Sequence, residues 1–106
     1  MWRVAKSGIV ANLLAASAAH ADPVGGQIVS GVGAISQSGS TTNILQSSPM
    51  VSLTWDSFNI ALQETVNFVQ PSASAIAVNR IHDTNGTQIL GRLNARYVML
   101  HLNGYD

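Results

Sequence analysis

The chain has 106 residues, no cysteine, a formal net charge of zero and only 9% charged residues, where a typical soluble domain carries roughly 25%. That composition excludes a disulfide-stapled miniprotein and a cysteine-ligated zinc site. Five basic residues cannot neutralise many phosphates, which argues against a nucleic-acid binder.

Residues 1–21 read as a secretory signal peptide. Arg3 and Lys6 form a positive start, and Gly8 to Ala16 is an uncharged, mostly apolar run. Ala19 and Ala21 then place small residues at the two positions a signal peptidase reads, so cleavage is expected before Asp22. Pro23 follows and stops any helix. The apolar run is shorter than the roughly 20 residues a membrane-spanning helix needs, and no later stretch is long and apolar enough to span.

Cleavage leaves about 85 residues and removes the only lysine, a size whose core is marginal alone. Arg80, Arg92 and Arg96 then face Asp22, Asp56, Glu64, Asp83 and Asp106, a balance of about −2. Ser, Thr, Asn and Gln make up roughly a third of what remains. Uncharged polar faces beside apolar strands suit stacked β-structure, where amides ladder and like charges would repel. An exported chain without cysteine cannot be locked by disulfides in the periplasm, as suits crossing a second membrane unfolded. Absence of cysteine in a small bacterial protein is an equally ordinary reading.

In chain order, Gly25-Gly26-Gln27 reads as a flexible lead. Ile28–Ser36 reads as extended, and Ser38-Gly39-Ser40 is a turn before a second strand, Thr41–Gln46, so that the two form a hairpin. Val51, Leu53 and Trp55 alternate with polar residues at a period of two. Phe58 and Ile60 resume the apolar face after a one-residue shift, predicting a bend near Ser57. Glu64–Val69 is a strand ended by Gln70-Pro71. Ala73–Ile81 is strand or short helix, which periodicity alone does not decide. Asp83-Thr84-Asn85-Gly86 is a turn, and Ile89–Leu93 and Tyr97–Leu102 are the last strands. Short strands at this spacing imply a sandwich, a barrel or a β-solenoid. No exact internal repeat stands out.

Four blocks carry a resemblance: Trp55-Asp56-Ser57-Phe58-Asn59-Ile60, Glu64 to Pro71, Ala75 to Ile81, and Ile89 to Ala95. With the lead Pro23 to Gln27, they resemble the N-terminal two-partner secretion domain of filamentous-haemagglutinin-type exoproteins, the haemagglutination activity domain. The resemblance implies an all-β fold, the start of a right-handed parallel β-helix with an N-terminal β cap. It implies entry to the periplasm of a Gram-negative bacterium by the general secretory machinery and signal peptidase. Recognition by a partner outer-membrane β-barrel transporter follows, placing the protein outside the cell or on its surface as the head of an adhesin or haemagglutinin. Neither an enzyme nor a cofactor is implied.

Within these blocks Val66 and Phe68 are expected to face inward, with Asn67 outward or laddered against a neighbouring coil. Pro71 ends its strand for want of an N–H. Asn59 and Asn79 are expected where strands end and the chain turns, and Arg80 and Glu64 are a candidate ion pair. Asn59, Asn67, Gln70, Pro71, Asn79 and Arg80 are the candidate recognition or motif residues. Asn103 and Gly104 join them as the part of the family's later Asn-Pro-Asn-Gly turn that remains. Arg96-Tyr97 stands where the family has Asn-Gly. Residues 22–106 are therefore expected to be the N-terminal part of a longer domain, cut short and incomplete at its C-terminus.

His82 and His101 lack metal-ligand spacing. Asp56 and Glu64 could in principle form a glycosidase pair, but read better as solvated turn residues. The other functional class left open is a stand-alone secreted β-protein that binds carbohydrate or a surface.

Overall fold

The computed structural model describes residues 22–102. The signal segment 1–21 with Ala19 and Ala21, and the Asn103-Gly104 turn, lie outside the described residues. Eight strands follow in order: β1 (Gln27–Ser30), β2 (Gly33–Ser38), β3 (Thr41–Gln46), β4 (Met50–Trp55), β5 (Thr65–Val69), β6 (Ile76–Ile81), β7 (Arg92–Asn94) and β8 (Val98–Leu102).

They form two four-stranded sheets. Sheet I has the order β1-β4-β6-β8 and sheet II the order β2-β3-β5-β7. From β3 onward the chain alternates between the sheets, adding one strand to each per circuit. All four pairings so made are parallel: β3 with β5, β5 with β7, β4 with β6 and β6 with β8. The two earliest strands instead join antiparallel, β1 on β4 and β2 on β3. The result is a two-sheet coil with an antiparallel start.

The core lies between the sheets and follows from the period of two along each strand. Thr42 and Ile44 of β3 face inward, stacked over Val66 and Phe68 of β5. Val51, Leu53 and Trp55 of β4 stack over Ala77, Asn79 and Ile81 of β6. Phe58 and Ile60 are buried after the bend at Asp56, and the Phe58 ring meets Trp55 edge-on at 5.2 Å and 76°. Burying such a side chain contributes about 1.5–3 kcal/mol, so these positions carry most of the coil's cohesion.

Several expectations are corrected. The segment Ile28–Ser36 is not continuous. Gly31, at a φ of 85°, turns the chain so that β1 joins sheet I and only β2 makes the hairpin with β3. A side chain at Gly31 would meet the Met50 carbonyl, so the turn requires glycine twice over. The lead is not free either. Val24 bridges Ser57, and Asp56 N donates to Val24 O at 2.8 Å. Residues 73–75 precede β6 rather than belonging to it, and residues 76–81 are strand. The last sheet II strand is shorter than expected, with Ile89 making only an isolated bridge to Ile60.

Candidate functional site

The functional features cluster at the corner where sheet II hands the chain to sheet I. Strands β3, β5 and β7 of sheet II each carry an asparagine on the outer face. Asn43, Asn67 and Asn94 are aligned in register. Asn67 Nδ2 donates to Asn43 Oδ1 at 3.0 Å, and Asn94 Nδ2 donates to Asn67 Oδ1 at 2.8 Å. The three carboxamides form a continuous ladder across the strands. Parallel, in-register pairing makes this possible, because identical residues then lie above one another.

Three residues on, the first two coils carry glutamine. Gln46 is buried, and its Nε2 donates to Ser48 O at 2.8 Å and to Ile76 O at 3.1 Å. Gln70 Nε2 reaches Gln46 Oε1 at 3.1 Å and Tyr97 O at 3.0 Å. Gln70 Oε1 accepts from the backbone N–H of Arg96 at 2.9 Å and of Tyr97 at 3.0 Å. A single side chain thus ties together the corners of three successive coils. Pro71 follows it, exposed, and starts the turn.

Sheet I has a buried counterpart. Asn79 was expected to end a strand; it lies inside β6, fully buried between Leu53 and Leu100 in register. Its Oδ1 accepts from Trp55 Nε1 at 2.8 Å and its Nδ2 donates to Met99 O at 3.3 Å. These partners let a polar group occupy a core position, which unpaired would be costly. Asn59 lies after β4, where its Oδ1 accepts from Gln88 N at 2.9 Å. Arg80 is exposed on the outer face of β6. Glu64 is not a solvated turn residue: it is buried, and its Oε1 accepts from Ala61 N at 2.8 Å. Asp22, the first described residue, is partly exposed beside Pro23, whose carbonyl accepts from Gln37 Nε2 at 3.1 Å.

The structure therefore joins Asn67 and Gln70 in one corner with Asn43, Gln46 and Asn94. Asn59, Asn79 and Arg80 lie elsewhere. The added members were legible as a repeat: Asn43-Ile44-Leu45-Gln46 and Asn67-Phe68-Val69-Gln70 are the same Asn-x-x-Gln pattern, 24 residues apart. The third coil keeps Asn94 but has Tyr97 at the glutamine position. Among the described residues, no group of His, Asp and Glu could hold a metal ion, and no helix is long and apolar enough to cross a membrane.

The likeness to known proteins bears on this arrangement. The crystal structure of the HMW1 secretion domain from Haemophilus influenzae superposes with a TM-score of 0.67 and 28% identity, over 74% of this chain and 21% of that one. Two heme/hemopexin-binding proteins of Haemophilus influenzae match in sequence. One is 37% identical over 73 residues, and the other 40% identical over 52. The chain is homologous to both kinds of protein. These matches cover 69% and 49% of this chain but only 8% and 6% of the relatives' lengths. No family model matches the chain.

Proposed function

We propose that the chain is the N-terminal head of an exported protein of the two-partner secretion class, in a Gram-negative bacterium. A signal peptide at residues 1–21 directs it through the general secretory machinery, and signal peptidase cuts before Asp22. A partner outer-membrane β-barrel transporter then recognises the head and passes the protein to the cell surface or beyond, where it serves as an adhesin or haemagglutinin. The two-sheet coil is the first part of a right-handed parallel β-helix, with β1 and β2 as its cap. The module has no catalytic role and needs no cofactor.

One observation carries this reading. An antiparallel start followed by one-strand-per-sheet parallel coiling occurs in a chain that matches, over most of its described length, a domain known for secretion. The physical chemistry is compatible with export. Each coil is templated by the one before it, so the chain can fold in the order in which it emerges. No disulfide interrupts that order. Asn67, Gln70 and Asn79 serve the architecture in this account, whereas Pro71 and Arg80 are exposed and available for transporter contact.

The test is co-expression of the full chain, in a Gram-negative host, with the two-partner transporter encoded at the same locus. The expected result is chain in the medium only when the transporter is present, and in the periplasm otherwise. A distribution unchanged by the transporter overturns the proposal.

A further inference from the structure

We propose that Asn85 is a self-modifying site: the backbone nitrogen of Gly86 closes on its carboxamide, and the product loosens the turn that leads into the last coil. The starting observation is a contrast among the asparagines of the described residues. Asn43, Asn67 and Asn94 have their carboxamides tied together in the ladder. Asn79 Oδ1 accepts from Trp55 Nε1, and Asn59 Oδ1 accepts from Gln88 N. Asn85 is exposed, and its carboxamide has no hydrogen-bond partner among the described residues.

The residue that follows each asparagine separates them in the same way. Ile44, Phe68 and Arg80 lie inside strands β3, β5 and β6, and Ile60 N donates to Gln88 O at 2.9 Å. Each of these nitrogens also has a bulky side chain beside it. Gly86 has none, and its N–H has no partner among the described residues. A Cβ placed on Gly86 would meet nothing within 4 Å, so the approach to its nitrogen is open. Asn85 N donates to Asp83 Oδ1 at 2.9 Å, which fixes the backbone of the turn and leaves the Asn85 side chain free. Gly86 adopts a φ of 85° at little cost, as only glycine does.

The step balances without any outside oxidant or metal. Gly86 N loses its proton and attacks Asn85 Cγ, closing a five-membered succinimide. The carboxamide nitrogen leaves as ammonia, carrying off a proton. Water then opens the ring at either carbonyl, giving aspartate or isoaspartate at position 85. Both products add a negative charge beside Asp83, and isoaspartate also adds one carbon to the main chain.

The turn has little room for that extra atom, because it is pinned at both ends. His82 N donates to Trp55 O at 3.0 Å on one side. On the other, Gln88 bonds Asn59 and Ile60, and Leu90 N donates to Ile60 O at 2.8 Å. Thr87 Oγ1, inside the turn, is buried without a partner among the described residues. Burying it so costs free energy that opening the turn recovers. The lengthened turn therefore gives way at Gln88 and Leu90, just before β7. This site is independent of the secretion reading, and its test does not involve a transporter.

The test is to age the full chain at alkaline pH, folded and in guanidinium chloride, and to follow each asparagine by peptide mapping. Isoaspartyl methyltransferase labelling identifies isoaspartate, which direct hydrolysis of the amide does not form. In the folded chain Asn85 should convert at least about tenfold faster than Asn43, Asn59, Asn67, Asn79 or Asn94, at a rate close to its own in denaturant. Gly86→Ala should slow it about tenfold, and Asn85→Gln should stop it, with circular dichroism checking that both fold. Amide exchange at Ile60, Gln88 and Leu90 should be faster in the aged chain than in the fresh one. The proposal is overturned if another of these asparagines converts as fast, or if folding slows Asn85 by about tenfold or more. Formation of aspartate alone, or identical exchange in aged and fresh chains, also overturns it.

Discussion

The first two coils and the last are built from the same strand order but are finished differently. In the first two, Ile44 and Phe68 lie under adjacent layers and are at most 5% exposed. In the last, the inward residues Leu93, Val98, Leu100 and Leu102 are only partly buried, and Leu90 and Met99 are 61% and 48% exposed. The pairing narrows in step, from five residue pairs between β3 and β5 to three between β5 and β7. The corner shows why. Where the first two coils have apolar pairs before glutamine, the third has Ala95-Arg96-Tyr97. An alanine cannot fill the layer that Ile44 and Phe68 fill, and the strand stops at Asn94. A coil of this kind is stable to the extent that each layer is covered on both sides.

The sharpest way to break that contrast is to remove one core side chain from each region. Phe68→Ala should cost about 3–5 kcal/mol in denaturant unfolding, whereas Leu93→Ala should cost about 1–2 kcal/mol, since less apolar area leaves the core. Equal losses would mean the layers are equally important. Next is the buried amide. Trp55→Phe leaves Asn79 Oδ1 without its donor and should cost about 1–3 kcal/mol. Adding Asn79→Leu to that variant should recover much of the loss, because both partners are then apolar. A double variant no better than the single would show that the loss is a packing defect.

Gln70→Ala tests the tie between the two regions. It removes the bonds to the Arg96-Tyr97 backbone and should lower stability by about 1–2 kcal/mol, with the earliest loss of structure in β7 and β8. Asn67→Ala should be smallest, about 0.5–1.5 kcal/mol, because the ladder lies on the outer face. The same thermal or denaturant series ranks all five single variants.

Much of this fold was legible in the sequence. Val51, Leu53 and Trp55 alternate strictly because one face of β4 is buried and the other is not, and the bend that returns Phe58 inward shows as a one-residue slip. Asn79 was misread because asparagine is usually a turn residue. Here Trp55, which is 24 residues earlier in the chain, supplies the bond that lets it sit in a core, and no local pattern encodes such a partner. Gln70 read as a strand end, which it is. Its hold on the third coil depends on parallel stacking, which no single strand displays. Gly31 was hidden in an apparently continuous Gly-Ser-Val run, although its positive φ is what divides the two sheets. The Asn-x-x-Gln repeat was visible in principle, but only two residues of each copy match closely enough to find.

The central claim is that polar ladders and full burial lock the first two coils, while the last, among the described residues, is less buried and stacks on one neighbouring coil. Site-resolved amide hydrogen exchange on the full chain tests it directly. The account predicts slowest exchange at Val66, Phe68, Leu53 and Asn79, and distinctly faster exchange along β7 and β8. Uniform protection across all eight strands, or slowest exchange in β8, would contradict it.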